Sequence, residues 1–144
     1  MMMTWGDNRT EASIPCKVNI ARVIGSRNAI DLGMVKDNTE YHLAMVCSHE
    51  SDGSWLVTFY LQDAATGKTL NKVRINTKGK GWSLEQQGML NCWLGHSQWE
   101  PDQDANASYN EVRVWATALT EEQLTKSARR GPDAFITPNS LSLW

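Results

Sequence analysis

The sequence predicts an all-β fold, a sandwich of antiparallel strands with one short helix near its end. Two observations carry this expectation. Short segments that alternate apolar and polar residues recur at intervals of roughly 10 to 20 residues, as in an antiparallel sandwich. A helix signal occurs once: Thr120 and Gln123 have the spacing of a capping box, which starts a helix at Thr120 and carries it to about Ala128. A chain of 144 residues fits one domain. It is long enough to bury roughly two-thirds of its extended surface.

The elements follow in chain order. Residues 1–16 are polar and turn-rich and read as a flexible or poorly ordered lead, leaving 17–144 for the sandwich. Lys17 to Ile24 is rich in Val and Ile and is the first strand candidate. Glu40 to Ser48 is the next. Tyr41, Leu43, Met45 and Cys47 line one face, and Ala44 and Val46 on the other are apolar too. A strand apolar on both sides is central or is covered by a second layer. The turn His49 to Ser54 leads into Trp55 to Gln62, with Trp55, Val57, Phe59 and Leu61 inward and Thr58, Tyr60 and Gln62 on the reverse. The two strands form a hairpin. Asp63 to Lys68 is a turn with Gly67 at positive φ. Thr69 to Asn76 returns with Val73 and Ile75 in and Lys72 and Arg74 out. Met89 to Gly95 is a further strand, and Ser97 to Ser108 a long polar loop. In Asn110 to Trp115, Val112 and Val114 share one face and are expected in the inter-sheet core, with Glu111, Arg113 and Trp115 opposite. Leu119 and Leu124 are expected to anchor the helix. Phe135 to Thr137 and Leu141 to Trp144 are short apolar pieces that suit a last strand or a packed tail.

Composition excludes several classes of partner. The net charge is −2, from 14 basic and 16 acidic residues, and gives no reason to expect nucleic acid or an anionic membrane. The one basic run, Lys68, Lys72, Arg74, Lys78 and Lys80, reads as the solvated face and loop of a hairpin. No apolar stretch approaches the roughly 20 residues that span a bilayer. The opening residues lack the basic and apolar regions of a signal peptide. Seven tryptophans are a high load, and those in loops offer indole faces for stacking. The three cysteines, Cys16, Cys47 and Cys92, cannot all pair within one chain.

Three pieces of the chain resemble a known family in the expected order. Glu40-Tyr-His-Leu-Ala-Met-Val46 is similar to a strand that usually reads Trp-His-Val-Ala-Val. Trp55 to Leu70 is similar to the hairpin that follows it. Trp93-Leu-Gly95 with Tyr109 to Leu124 is similar to the family's ending, Asp-Glu-Val-Arg-Ile and a short helix. Over residues 38–128 the chain thus resembles laminin-G-like and pentraxin-like domains of the concanavalin A-like superfamily. The resemblance implies a jelly-roll sandwich that binds glycans or proteins. Only about 40 residues precede Tyr41, fewer than the family has there, so the resemblance implies a compact or N-terminally shortened sandwich. Lost strands leave exposed edges, which raises the expectation of a homo-oligomer. A disulfide from Cys47 to an earlier strand is also implied, and Cys16 is the only earlier cysteine.

The pentraxin branch implies calcium. His96 and Ser97 stand where its acidic ligands follow Leu-Gly, and they suit a hard cation poorly. Asp102 and Asp104 in the next loop are the remaining metal candidates; solvated loop carboxylates are the plainer reading. Zinc is not indicated, because the Cys and His residues show no short paired spacing. Glycoside hydrolysis needs two carboxylates about 5 to 9.5 Å apart. The alternating acidic triplet that supplies them in such sandwiches is absent, so the sequence points away from an enzyme. Trp82, Gln98, Trp99, Asn106 and Tyr109 flank turn-rich loops and are the candidate ligand-binding residues, the aromatics by stacking and the amides by hydrogen bonding. The expected function is a non-catalytic recognition module for a glycan or a protein, in an extracellular or cell-surface setting within a larger secreted protein. A structural or oligomerisation domain is the alternative.

Overall fold

The computed structural model describes residues 30–78, 95 and 107–131, together with the backbone of two strands at 2–5 and 13–19. The described fold is mostly antiparallel β. Strands β1 (Met2–Trp5), β2 (Ser13–Asn19) and β3 (Ile30–Lys36) form one three-stranded sheet in that order. Strands β4 (Tyr41–His49), β5 (Trp55–Asp63) and β6 (Thr69–Asn76) form the second, and helix α1 (Glu121–Arg130) follows. Residues 1–16, read as a lead, contain β1 and the start of β2. The expected strands at Met89 to Gly95 and near the C-terminus lie outside the described residues, Gly95 excepted.

Strand β3 was not expected from sequence, and its bulge explains why. Pro15 pairs with Met34 and Lys17 with Asp31, so Cys16 stands opposite both Leu32 and Gly33. The extra residue switches the alternation: Ile30, Leu32 and Val35 are buried and Met34 is exposed. Gly33 takes φ +96 to make the bulge, and the Asp31 carboxylate accepts its N–H at 2.8 Å.

The main core lies between β3 and the second sheet. Ile30, Leu32 and Val35 meet Val57, Phe59 and Leu61 of β5, with Tyr41, Leu43, Met45 and Cys47 of β4 and Val73 and Ile75 of β6 at its margins. These are the inward faces that the alternation predicts. Cys47 is a free thiol, against the disulfide to Cys16 that the resemblance implies; burial raises its pKa. It packs as a small, partly covered side chain at the core margin.

The reverse face of the second sheet is covered by helix α1. Leu124 and Leu119 pack on Ala44 and Val46 of β4 and on Tyr60 of β5. The apolar reverse face of β4 therefore has the covering layer that the sequence calls for, and β5 is buried on both sides. The Thr120 hydroxyl accepts the Gln123 N–H and the Gln123 side chain accepts the Thr120 N–H, completing the expected capping box. Glu121 and Glu122 in the first turn, and Arg129 and Arg130 in the last, complement the helix dipole.

The segment 111–115 corrects an expectation. It is not a strand, and Val112 and Val114 are 53% and 57% exposed rather than in the core. Its alternation holds with the opposite sense, because Arg113 turns inward to reach the end of α1. Truncating Leu124 to Ala is predicted to cost about 2 to 5 kcal/mol in urea unfolding. A cost near zero would mean that the helix does not dock.

Candidate functional site

Of the residues singled out for ligand or metal binding, the structure places one. Tyr109 is 41% exposed at the start of the segment that leads to Trp115. Trp82, Gln98, Trp99, Asp102, Asp104 and Asn106 lie outside the described residues. Among the described residues no group of three or more His, Cys, Asp or Glu side chains is arranged to hold a metal ion. No helix among them is long and apolar enough to cross a membrane.

The polar chemistry of the described structure is concentrated where α1 meets the second sheet. Gln62 of β5 is fully buried. Its Nε2 faces three oxygens: the Gly67 carbonyl at 3.3 Å, Thr69 Oγ1 at 3.2 Å and Thr125 Oγ1 at 3.4 Å. A backbone carbonyl only accepts, so the amide must present its NH₂ to this side. Gln62 Oε1 then accepts from His42 Nδ1, 2.8 Å away on the neighbouring strand. This fixes the neutral His42 tautomer with its proton on Nδ1. Burial holds the His42 imidazole below its ordinary pKa; the Gln62 bond opposes that shift and the nearby Arg113 charge adds to it.

The network continues to the surface. Thr69 Oγ1 donates to Glu121 Oε1 at 2.9 Å, and Lys72 Nζ donates to Glu121 Oε2 at 2.6 Å. Those bonds hold the Glu121 carboxylate below its usual range, Lys72 being the larger cause. Lys72 also lies 5.6 Å from the centre of the Tyr60 ring. Part of the basic run is thus neutralised: Lys72 pairs with Glu121, and Lys78 with Asp52 at 3.0 Å.

Two further contacts lock the helix to its surroundings. Gly67, at φ +70, lies so close to α1 that a Cβ would stand 2.7 Å from both the Thr125 carbonyl and Arg129 Cγ. Arg113 binds Glu111 through two nitrogens, donates to Ser127 Oγ at 2.9 Å and donates to the Gly131 carbonyl at 2.9 Å. The side chains of the Glu111–Arg113 pair are 24% and 15% exposed. Its partners at the C-terminal end of α1 give it a role beyond a solvated ion pair. Upstream, Asn110 Nδ2 donates to Glu40 Oε1 at 3.3 Å. The segment from Asn110 to Arg113 is held at both ends, and the exposed Tyr109, Val112 and Val114 on and beside it make up an apolar run, the ledge.

Sequence reading singled out Tyr109 but not His42 or Gln62 as site residues, and it expected Val112 and Val114 in the core. The register offered a signal: the hairpin places His42 opposite Gln62, and both stand on the face that α1 covers. Comparison with family models, with curated proteins and with solved structures finds no match to this chain. Replacing Gly67 with Ala is predicted to lower stability by more than the roughly 1 to 2 kcal/mol of a left-handed backbone penalty, because the turn and helix must also part. Urea unfolding of the variant, with far-ultraviolet circular dichroism to follow the helix, checks this. A loss within the backbone penalty alone would show that the contact is loose.

Proposed function

We propose that the chain is a non-catalytic recognition module, built on a jelly-roll sandwich of the laminin-G-like or pentraxin-like kind, that binds a glycan or a protein partner. The supporting observation is the ledge: Tyr109, Val112 and Val114 are each more than two-fifths exposed on a segment anchored through Asn110 and Arg113. Anchoring before binding lowers the ordering cost of association. The two exposed valines favour a protein surface, and Tyr109 also suits the apolar face of a sugar ring. The antiparallel strands in two packed sheets and the sheet-covering helix support the sandwich part of this reading. An extracellular or cell-surface setting within a larger secreted protein belongs to the same proposal.

The alternative, a structural or oligomerisation domain, draws on the same valines, because an exposed apolar ledge also suits a second copy. A glycan array read with and without a chelator, alongside light scattering, separates the outcomes. Binding that chelation abolishes supports a calcium-assisted site at Asp102 and Asp104. Binding that survives chelation but is lost in Trp99→Ala supports stacking alone. A recognition ledge predicts that Val112→Lys with Val114→Lys lowers affinity for a bound partner about tenfold or more without loss of folding. No binding together with a stable dimer would replace this reading with the structural one.

A further inference from the structure

We propose that the outer edge of β4 is a homodimer interface, where it pairs antiparallel with the same edge of a second copy and joins the two β4–β5–β6 sheets into one. The strand order makes β4 and β6 the two edges of this sheet among the described strands. Which groups of β4 face outward follows from the bonds that flank it. The Glu50 N–H donates to the Ser54 carbonyl at 2.8 Å, and the Ala64 N–H donates to the Glu40 carbonyl at 3.4 Å. Both contacts continue the β4–β5 register, so the hydrogen-bonded pairs fall at the even positions of β4. The N–H and C=O groups of Leu43, Met45 and Cys47 therefore point away from β5. By the same argument, the bond from the Thr77 N–H to the Trp55 carbonyl turns the backbone groups of Lys72 and Arg74 to the outer edge of β6.

The two edges are built differently. Strand β6 carries devices that keep an edge from pairing. Lys72 and Arg74 are cationic, the Asn71 side chain takes the Lys72 N–H at 2.8 Å, and the β5–β6 register shifts between Leu61 and Gln62. In β3, the end strand of the other sheet, Asp31 takes the Gly33 N–H and Tyr41 Oη takes the Lys36 N–H. Strand β4 has neither charge nor irregularity. Tyr41–His49 contains no Asp, Glu, Lys, Arg, Gly or Pro, and its nine residues pair with β5 without a register shift. A long, regular, uncharged edge is a template for a further strand.

Charge selects a second copy as the occupant. Self-pairing of β6 would set Lys72 and Arg74 against the same cations of its mate. Self-pairing of β4 about Met45 sets no charge against another. Leu43 meets the partner's Cys47 and Met45 the partner's Met45 on the core side, and Ala44 meets the partner's Val46 on the helix side. Leu43, Met45 and Cys47 lie partly covered at the margin of the main core, so pairing brings two such margins together and buries more of both. The contact is isologous and closes at two copies. The blunted β6 edges then lie at the two ends of the joined sheet and stop its growth. The dimer does not rest on the recognition reading, and its test uses no partner.

The test is residue-resolved amide exchange of the full chain in its dimeric form and in a sample diluted, or substituted Met45→Lys, until light scattering reports the monomer. In the concentrated sample a particle of twice the chain mass is expected. There the outward amides of Leu43, Met45 and Cys47 are expected to gain about tenfold protection or more, while His42, Ala44 and Val46, bonded to β5, keep theirs. Met45→Lys sets two new cations face to face and is expected to weaken the dimer about tenfold or more. Should that variant not fold, dilution of the unsubstituted chain decides. A chain that stays monomeric when concentrated overturns the proposal. A dimer that leaves the three outward amides unprotected overturns it, because it pairs elsewhere. Equal protection of these amides in the monomer also overturns it, because the chain itself then covers the edge.

Discussion

The buried amide of Gln62 is the constraint on which the arrangement of the second sheet depends. It sits on β5, a strand buried on both faces. Its oxygen is spoken for by β4, and its nitrogen faces the turn, β6 and α1. Leaving a buried amide group unpaired costs about 1 to 3 kcal/mol. The Gly67 carbonyl and Thr69 can take up both N–H groups of the amide, so the helix partner Thr125, at 3.4 Å, shares a donor and biases the helix position. Leu124, with a larger expected contribution, supplies most of the attraction. Apolar contact is non-directional, however, and by itself does not fix which turn of the helix faces which residue. Attraction comes from the leucine, and Gln62, Glu121 and Arg113 together bias the register.

That division explains why the polar groups lie on the helix side. On the β3 side the core is built from aliphatic and aromatic side chains and tolerates small slips. On the other side the capping box, Gln62, Glu121 and Lys72 tie one end of α1 down, and Arg113 ties the other. The same arginine fixes the Asn110–Arg113 segment and so determines what that segment shows to solvent. The exposure of Val112 and Val114 follows from the pull of Glu111, Ser127 and Gly131 on Arg113. A proposed contact surface and the docking of a helix are thereby parts of one hydrogen-bonded system.

The sequence made much of this fold readable where local rules are strict. Strand β6 falls at Thr69–Asn76, where alternation and the turn at Gly67 put it, and Thr120 caps the helix with Gln123 as its spacing predicts. Strand β3 escaped because a glycine bulge breaks period-2 alternation, the signal by which strands are found. In 111–115 alternation separated two faces correctly but could not tell which was inward. An arginine with enough partners displaced two valines from the interior. The candidate binding residues were less legible still, since loop aromatics carry no periodic signal and Tyr109 alone lies within the described residues. The His42–Gln62 pair is a tertiary property: neither residue is unusual until the register sets them opposite one another.

Hydrogen–deuterium exchange on Gln62→Met tests the central claim most directly. Methionine keeps the length and fills the space, but offers neither the acceptor for His42 nor the donor for Gly67, Thr69 and Thr125. If the amide sets the register of the helix, α1 and the turn from Asp63 to Lys68 lose protection while the β5–β6 ladder keeps it. Unchanged protection of α1 in the variant would contradict the account, because apolar contact alone would then be holding the helix in place.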